Sequence, residues 1–271
     1  MSVREKAVTT IQNLSVNSSN REAIYSEGGL NPIIYLLTYG SPLAKERAAG
    51  AVANLAVNVM NKRKIAEIGG LPPLIDLLTK HDVSEKSIQS AAIALSNLAV
   101  NDQNRIWIPE LNGIQSLIHV VSTLSFQALT REYAAGAIKN LSHRLENRYK
   151  IVECGGIPPL IALLLPSGSG DGGGNTNTTN VAQEYAAGAL QFISNVPELG
   201  VEVANHGGIG PLVSLYVSSN MGVAGGAGGR GPGSGITPKA RDHAITALRN
   251  LSINEQYRAA IRAFGGGGAL Q

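Results

Sequence analysis

A short alanine-rich segment recurs along the chain and decides its fold. It reads AAGAVANLA at 48–56, AAIALSNLA at 91–99 and AAGAIKNLS at 134–142. Weaker copies read AVTTIQNLS at 7–15, AAGALQFIS at 186–194 and AITALRNLS at 244–252. The seventh residue of each copy is termed the marker; the markers are Asn13, Asn54, Asn97, Asn140, Phe192 and Asn250. The chain is therefore built from repeats, and the markers give their register.

A second motif, a pair of glycines or Asn-Gly, has the same spacing as the markers. Its members are Gly28-Gly29, Gly69-Gly70, Asn112-Gly113, Gly155-Gly156, Gly207-Gly208 and Gly265-Gly266. Both motifs are separated by 41, 43, 43, 52 and 58 residues. A helical period of roughly 40–47 residues is typical of an alpha solenoid of the HEAT or armadillo type.

Each repeat reads as three helices. The first is expected to begin at an asparagine seven residues after the marker, because asparagine is a favoured N-cap. These predicted caps are Asn20, Asn61, Asn104 and Asn147, each followed by Arg or Lys. The glycine pair ends the first helix, since glycine accepts the left-handed backbone conformation of a helix C-terminus. The second helix has proline in its first turn, as at Pro72-Pro73, and the third helix carries the marker.

These motifs resemble those of the armadillo-repeat family. The family pattern N-x-x-x-I-x-x-x-G-G-[IL]-P-P-L-[IV]-x-L-L, followed by A-A-x-A-L-x-N-L, is met nearly in full by residues 61–98 and 147–165. The AAGA-type third helices are similar to those of beta-catenin-like, vacuolar-adaptor and plant or protist multi-armadillo proteins. The resemblance implies an all-α fold, a right-handed armadillo-type α–α superhelix of three-helix repeats.

The whole chain, 1–271, is predicted to be one repeat array. Its segments are a partial repeat at 1–17, repeats at 20–58, 61–101, 104–144, 147–196 and 199–254, and a partial repeat at 257–271. Two glycine-rich insertions, 167–180 and 218–237, lengthen the last two repeats and are expected to be flexible loops. Neither end shows a polar capping repeat, which favours a piece of a longer array or an incomplete gene model.

Composition excludes several classes of protein. Hydrophobic residues make up 44% of the chain, enough for an aliphatic core, so wholesale disorder is excluded. A net charge of +3 argues against a dedicated nucleic-acid binder. No apolar run approaches the roughly 20 residues of a membrane helix, and no signal peptide is evident. A single cysteine, Cys154, excludes an internal disulfide, and a cytosolic or nuclear location is expected.

No catalytic or metal-binding pattern emerges from the sequence. The five histidines lack the spacing of metal ligands, and HExxH and CxxC are absent. A literal GxGxxG at Gly168, Gly170 and Gly173 follows a helix instead of a strand, so it does not predict dinucleotide binding. We therefore expect no enzyme activity, no cofactor and no small-molecule substrate.

The third helices carry the candidate binding surface. Helical periodicity places the marker and the residues four and seven positions before it on one stripe. The residues seven positions before the marker include Arg47, Ser90, Tyr133, Tyr185 and His243. An asparagine side chain has one donor and one acceptor group, so a column of marker asparagines would pair with the backbone of an extended peptide. The alternative is that each asparagine bonds a loop or helix end of its own repeat.

The one marker that is not asparagine, Phe192, raises a separate question. With Tyr185 and Tyr133 it would form an aromatic anchor for a bound segment. The alternative is that Phe192 turns into the core of an irregular repeat.

The residue four positions before the marker separates the functional alternatives. Import adaptors of the importin-alpha kind, which this array resembles, have tryptophan there, whereas this chain has Thr9, Gly50, Ile93, Gly136, Gly188 and Thr246. The sequence therefore favours a non-enzymatic scaffold that binds extended segments of other proteins in a groove. The alternatives are the substrate-recruiting armadillo region of a ubiquitin ligase and, less favoured, a nuclear-import adaptor.

Overall fold

The described part of the chain is entirely helical. The computed structural model describes residues 1–165, 178–221 and 236–271. Within these residues the regular elements are seventeen α-helices and one short 3-10 helix, which confirms the all-α prediction. The chain divides into two compact units, residues 1–120 and 121–271.

The first unit begins with a third helix and continues in the order first, second, third. Its helices are α1 (Val3–Leu14), α2 (Ser18–Ser26), α3 (Leu30–Tyr39), α4 (Pro42–Leu55), α5 (Val59–Glu67), α6 (Leu71–Leu77), α7 (Glu85–Leu98) and α8 (Asn104–Glu110). The boundary between the units falls within the next helix, α9 (Gly113–Ser122).

The second unit continues the same order. Its helices are α10 (Ala128–Leu141), α11 (Leu145–Glu153), α12 (Ile157–Leu164), α13 (Asn180–Ser194), α14 (Pro197–Asn205), α15 (Ile209–Met221), α16 (Pro238–Leu251) and α17 (Glu255–Ala263). A 3-10 helix, Gly266–Leu270, follows α17 and packs against it and against α16.

The glycine pairs end the first helices as predicted. Gly69, the first member of its pair, has a φ of +82°, a left-handed conformation that costs glycine little. Its partner Gly70 needs to be small for another reason, because a Cβ there would lie 2.7 Å from Cγ2 of Ile65. The first member therefore stops the helix, and the second lets α6 start close against α5.

Alanine faces allow the third helices to stack. In the first unit α4 packs against both α1 and α7, and in the second unit α13 packs against both α10 and α16. Ala48, Ala51 and Ala91 are fully buried in these stacks. Small side chains let the helix axes approach closely, and Leu and Ile from the second helices complete an aliphatic core.

The predicted N-caps of the first helices are wrong, by three residues for α2, α5 and α11 and by one residue for α8, whose N-cap is Gln103. The caps are Asn17 for α2, Asn58 for α5 and Asn254 for α17, each four residues after a marker. The side-chain oxygen of Asn58 accepts from the backbone N–H groups of Met60 and Asn61. Asn58 and Asn61 are both asparagines, and Asn58 has the extended backbone that an N-cap needs.

The asparagines seven residues after the marker cap the preceding third helix instead. The side-chain amides of Asn61 and Asn104 donate to the carbonyls of Leu55 and Leu98, at 3.1 and 3.0 Å. The basic residue that follows each of these two asparagines donates to the next carbonyl of the same helix end. Nε of Arg105, for example, donates to the Ala99 carbonyl at 2.9 Å. A cation at a helix C-terminus is favoured by the helix dipole, which explains the recurrent Asn-Arg and Asn-Lys pairs.

The predicted loop insertions lie largely outside the described residues. At their edges the structure corrects the boundaries. Residues 218–221 belong to α15, and Asn180 is already the first residue of α13. The side chains of Thr179 and Thr237 cap α13 and α16, so these two residues belong to the helices that follow them.

Candidate functional site: the third-helix ladders

The two stacks of third helices each form a surface that we term a ladder. The first ladder is built from α1, α4 and α7, and the second from α10, α13 and α16. Along each ladder the markers recur once per helix, near the helix C-terminus. The side chains of Asn54, Asn97, Asn140, Phe192 and Asn250 are half-buried, whereas that of Asn13 is exposed.

The marker asparagines bond the preceding repeat through their amide groups. Nδ2 of Asn54 donates to the carbonyl of Gln12 and to Oγ of Ser15, both at 3.1 Å. Nδ2 of Asn97 donates to the Ala53 carbonyl at 2.9 Å. The donor half of these side chains is thus already used between repeats, which neither sequence interpretation anticipated.

The second ladder has the same bond. Nδ2 of Asn250 donates to the Gln191 carbonyl at 3.2 Å and to Oγ of Ser194 at 3.4 Å. The side-chain oxygens of Asn54, Asn97 and Asn250 have no hydrogen-bond partner among the described residues. The acceptor half of these three asparagines is therefore the half available to a ligand.

The position before the marker, absent from the sequence interpretation, also contributes to the ladders. Its residues are Gln12, Ala53, Ser96, Lys139, Gln191 and Arg249. A Cβ at Gly50 would collide with the amide group of Gln12, and one at Gly188 would lie 3.0 Å from Cε of Lys139. Gly50 and Gly188 are thus each covered by a side chain from the preceding repeat.

These side chains extend onto the residue seven positions before the next marker. Nζ of Lys139 lies 5.7 Å from the ring centroid of Tyr185. In the next pair of helices, Oε1 of Gln191 is 2.5 Å from Nδ1 of His243. The residue before the marker thus places a cation over the ring of Tyr185 and an amide beside the ring of His243.

The other residues seven positions before the marker lie at varied depth. Ser90 is buried, whereas Arg47 and Tyr133 are half-buried. A guanidinium nitrogen of Arg47 is 3.8 Å from Glu46, and its buried Nε has no partner among the described residues. Burial raises the pKa of Tyr133, and the negative charge of Glu132 raises it further. Burial also lowers the pKa of His243, which favours the neutral imidazole.

Phe192 is packed against a loop, and the predicted aromatic cluster is not observed. Its ring centroid is 4.3 Å from that of His143, and the guanidinium carbon of Arg148 is 5.6 Å from its centroid. Within the described residues the rings of Phe192, Tyr185 and Tyr133 make no mutual ring contact. Arg148 is held above Phe192 because its Nε donates to the Ser142 carbonyl at 2.9 Å.

A second inter-repeat bond joins the N-caps of the third helices to the helix before. Oγ of Ser84 donates to Glu46 at 2.7 Å, and Oγ1 of Thr237 donates to Glu184 at 2.8 Å. Thr179 bonds Glu132 in the same way. Each hydroxyl stands thirteen residues before a marker and each glutamate eight before one, so this recurrence was a signal available in the sequence.

Features typical of metal-dependent or thiol chemistry are absent from the described residues. Among them, no group of three or more His, Cys, Asp or Glu side chains is placed to hold a metal ion. Burial raises the pKa of the Cys154 thiol, which opposes formation of a reactive thiolate. Within the described ranges, no helix has both the length and the apolar character needed to cross a membrane. What the ladders offer is a surface of amide, aromatic and cationic groups at regular intervals.

This architecture defines the class of alpha solenoids built from three-helix repeats. Residues 17–57 match the family model described as Armadillo/beta-catenin-like repeat. A designed armadillo repeat protein of known structure superposes with a TM-score of 0.74 at 22% identity, covering 91% of this chain and 92% of that one. The chain thus has the fold of armadillo-repeat solenoids, and its residues 17–57 match one repeat of that family.

Other solved structures show the same fold. An engineered protein matches with a TM-score of 0.80 at 26% identity, covering 98% of this chain and 59% of its own length. A designed armadillo repeat protein in complex with the peptide (KR)4 matches with a TM-score of 0.70 at 22% identity, covering 91% of this chain and 92% of that one. No curated protein matches the sequence.

Proposed function

We propose that this chain is a non-enzymatic scaffold whose ladders bind extended segments of partner proteins. The observation that supports this most directly is the orientation of the marker asparagines. Because the amide of Asn54 is held at 3.1 Å by Gln12 and Ser15, its carbonyl oxygen has a fixed direction. Oriented acceptors of this kind on neighbouring third helices, as at Asn54 and Asn97, suit the N–H groups of an extended backbone.

The fold comparison supports the same proposal. A designed protein of this fold was solved with the peptide (KR)4, and another was designed for modular peptide recognition. Both are 22% identical to this chain, so the resemblance itself extends to the fold. In our proposal the ligand is likewise an extended peptide, and side chains of this chain determine which sequence binds. The small net charge of +3 suits protein partners in the cytosol or nucleus better than nucleic acid.

The structure gives no support to the import-adaptor alternative. That function needs tryptophan slots four positions before the marker. In this chain Gly50 and Gly188 stand there, and Gln12 and Lys139 cover them. No observation favours the ubiquitin-ligase alternative over a general scaffold.

The test is to select twelve-residue peptides by display on the whole chain and to measure their affinity for ladder variants. The Asn54→Ala/Asn97→Ala double variant should weaken binding, because it removes two acceptors. Ser15→Ala is the matched control, since it removes one bond partner of Asn54 and leaves the Asn54 oxygen in place. Peptides that bind both variants as tightly as the unmodified chain would contradict the proposal.

A further inference from the structure

The second ladder includes a half-buried cation, Lys139, that forms no ion pair with the described residues. Lys139 is half-buried, and no carboxylate within the described residues lies within 4 Å of its ammonium group. Its aliphatic stem lies across the bare backbone of Gly188, where a Cβ would be 3.0–3.2 Å from three of its carbons. Its ammonium group points along α13 to the face of Tyr185.

The neighbouring acidic groups are engaged elsewhere. Glu184 accepts from the Thr237 hydroxyl at 2.8 Å, and the buried Glu132 accepts from Thr179. Both carboxylates thus serve the N-caps of the following helices. Asp242, the remaining acid of this ladder, is exposed on α16, as is Lys239.

Three cations on or beside the ladder are engaged: Arg241 of α16 lies over the ring of Tyr216, and Arg249 of α16 and Arg148 of α11 donate to backbone carbonyls. Nε of Arg249 donates to the Ala269 carbonyl at 3.0 Å, and Nε of Arg148 donates to the Ser142 carbonyl at 2.9 Å. His243 bonds Gln191. Burial lowers the pKa of Lys139, as does the charge of Lys239, whereas Glu184 opposes the shift. Lys139 is therefore a desolvated ammonium that a ligand carboxylate would stabilise.

We propose that Lys139 is a specificity-determining residue of the second ladder, and that it selects an acidic side chain in the bound segment. This inference rests on the proposed function. Lys139, one position before its marker, would then contact a side chain of the ligand. It can lie along the ladder because Gly188, four positions before the next marker, has no side chain. Tyr185 flanks the same place and offers a ring face for the stem of the acidic residue.

The sequence explains why this arrangement of lysine and glycine occurs between only one pair of helices in the second ladder. The equivalent step towards α16 has Gln191 before the marker and Thr246 in place of the glycine. Gln191 is neutral and already bonded to His243. A segment lying along α10, α13 and α16 would thus meet this combination of lysine, glycine and tyrosine at one place, between α10 and α13.

The experiment uses the whole chain and three labelled ten-residue peptides, five repeats each of Glu-Thr, Gln-Thr and Lys-Thr. Fluorescence anisotropy at low salt measures their affinities. We expect the unmodified chain to prefer the Glu-Thr peptide to the Gln-Thr peptide by about ten-fold, about 1.4 kcal/mol. Lys139→Gln should abolish that preference, and Lys139→Glu should reverse it towards the Lys-Thr peptide.

Two further variants separate a local contact from a general charge effect. Lys150→Gln makes the same change in net charge on α11, where Lys150 pairs with Glu153 at 3.5 Å, and should keep the preference. Gly188→Ala leaves the charge unchanged and displaces the stem of Lys139, so it should reduce the preference. Circular dichroism would confirm that each variant is folded.

The outcomes distinguish this inference from the proposed function. Equal binding of the three peptides that is lost in Asn250→Ala would leave the scaffold function standing and overturn the role of Lys139. An equal loss of preference in Lys150→Gln would also overturn it, since the effect would then be non-specific. Absence of binding by every peptide would overturn both.

Discussion

Replacing the marker asparagines by alanine should have unequal effects, because only some of them bond the preceding repeat. Asn13 and Asn54 are a matched pair, since each is the last but one residue of its third helix. Asn54 donates two hydrogen bonds to the preceding repeat, whereas Asn13 is exposed and donates none among the described residues. The intrinsic helix propensity of the substitution is the same at both positions and cancels in the comparison.

The magnitude follows from the two bonds of Asn54. A typical intramolecular hydrogen bond contributes about 0.5–1.5 kcal/mol net. The Gln12 carbonyl also accepts from Oγ of Ser15 at 2.7 Å, so Asn54→Ala leaves it with a partner and no large desolvation term arises. Because Asn54 is half-buried, we expect a loss of about 1–2 kcal/mol in the free energy of unfolding, against less than about 0.5 kcal/mol for Asn13→Ala.

Urea unfolding followed by circular dichroism and by the fluorescence of Trp107, the only tryptophan in the chain, measures both variants. Trp107 lies in α8, in the same unit as the two asparagines, so its signal reports on their unit. Equal losses in the two variants would refute the reasoning, because the bonds of Asn54 would then contribute nothing. The result also fixes the stability correction needed when such variants are used in binding assays.

Three further predictions concern single side chains. Asn112 has a φ of +59°, so Asn112→Ala should lower the free energy of unfolding by about 1 kcal/mol and Asn112→Gly should leave it nearly unchanged, as urea midpoints would show. Burial raises the pKa of Glu132 above its ordinary value of 4.5, so the folded chain keeps that proton to higher pH than the unfolded chain does. The free energy of unfolding should therefore fall as the pH rises from 4.5 through the raised pKa. Glu132→Gln should lessen this pH dependence while keeping an acceptor for Thr179. Burial lowers the pKa of His243 below 6.5, so the unfolded chain takes up the proton first and stability falls as the pH drops from about 7 through that value; His243→Gln should lessen the difference in melting temperature between pH 7.5 and 5.5, and an unchanged difference would contradict the assignment.

The order of the helices was predictable because it depends on local chemistry. A positive φ at Gly69 requires glycine, and close stacking at Ala48 requires a small side chain, so both leave a periodic trace in the sequence. The position of the N-cap was not predictable in the same way. Asn58 and Asn61 satisfy the same sequence rule, and the choice depends on where the preceding third helix ends.

The candidate site was less predictable, because its contacts join different repeats. Periodicity places Asn54 on the surface stripe, but the bond to Gln12 depends on the distance between two helices that are about forty residues apart in sequence. The same holds for Lys139, whose stem lies on Gly188 of the next third helix. Phe192 was assigned to an aromatic cluster because sequence does not show that Arg148 and His143 lie beside it.

The bonds between repeats that the N-cap hydroxyls and several asparagine side chains make run in one direction along the chain. Ser84, Asn97 and Asn104 are donors, and each bonds an acceptor in the repeat before it: Glu46, the Ala53 carbonyl and the Lys62 carbonyl. For these bonds, deleting a repeat from the amino-terminal side would leave donors without a partner, whereas deleting one from the carboxyl-terminal side would leave acceptors without one. Buried acceptors tolerate a missing partner better than buried donors do. The two ends of the array thus differ in how well they tolerate the loss of a repeat, and repeats are better exchanged or removed at the carboxyl-terminal end.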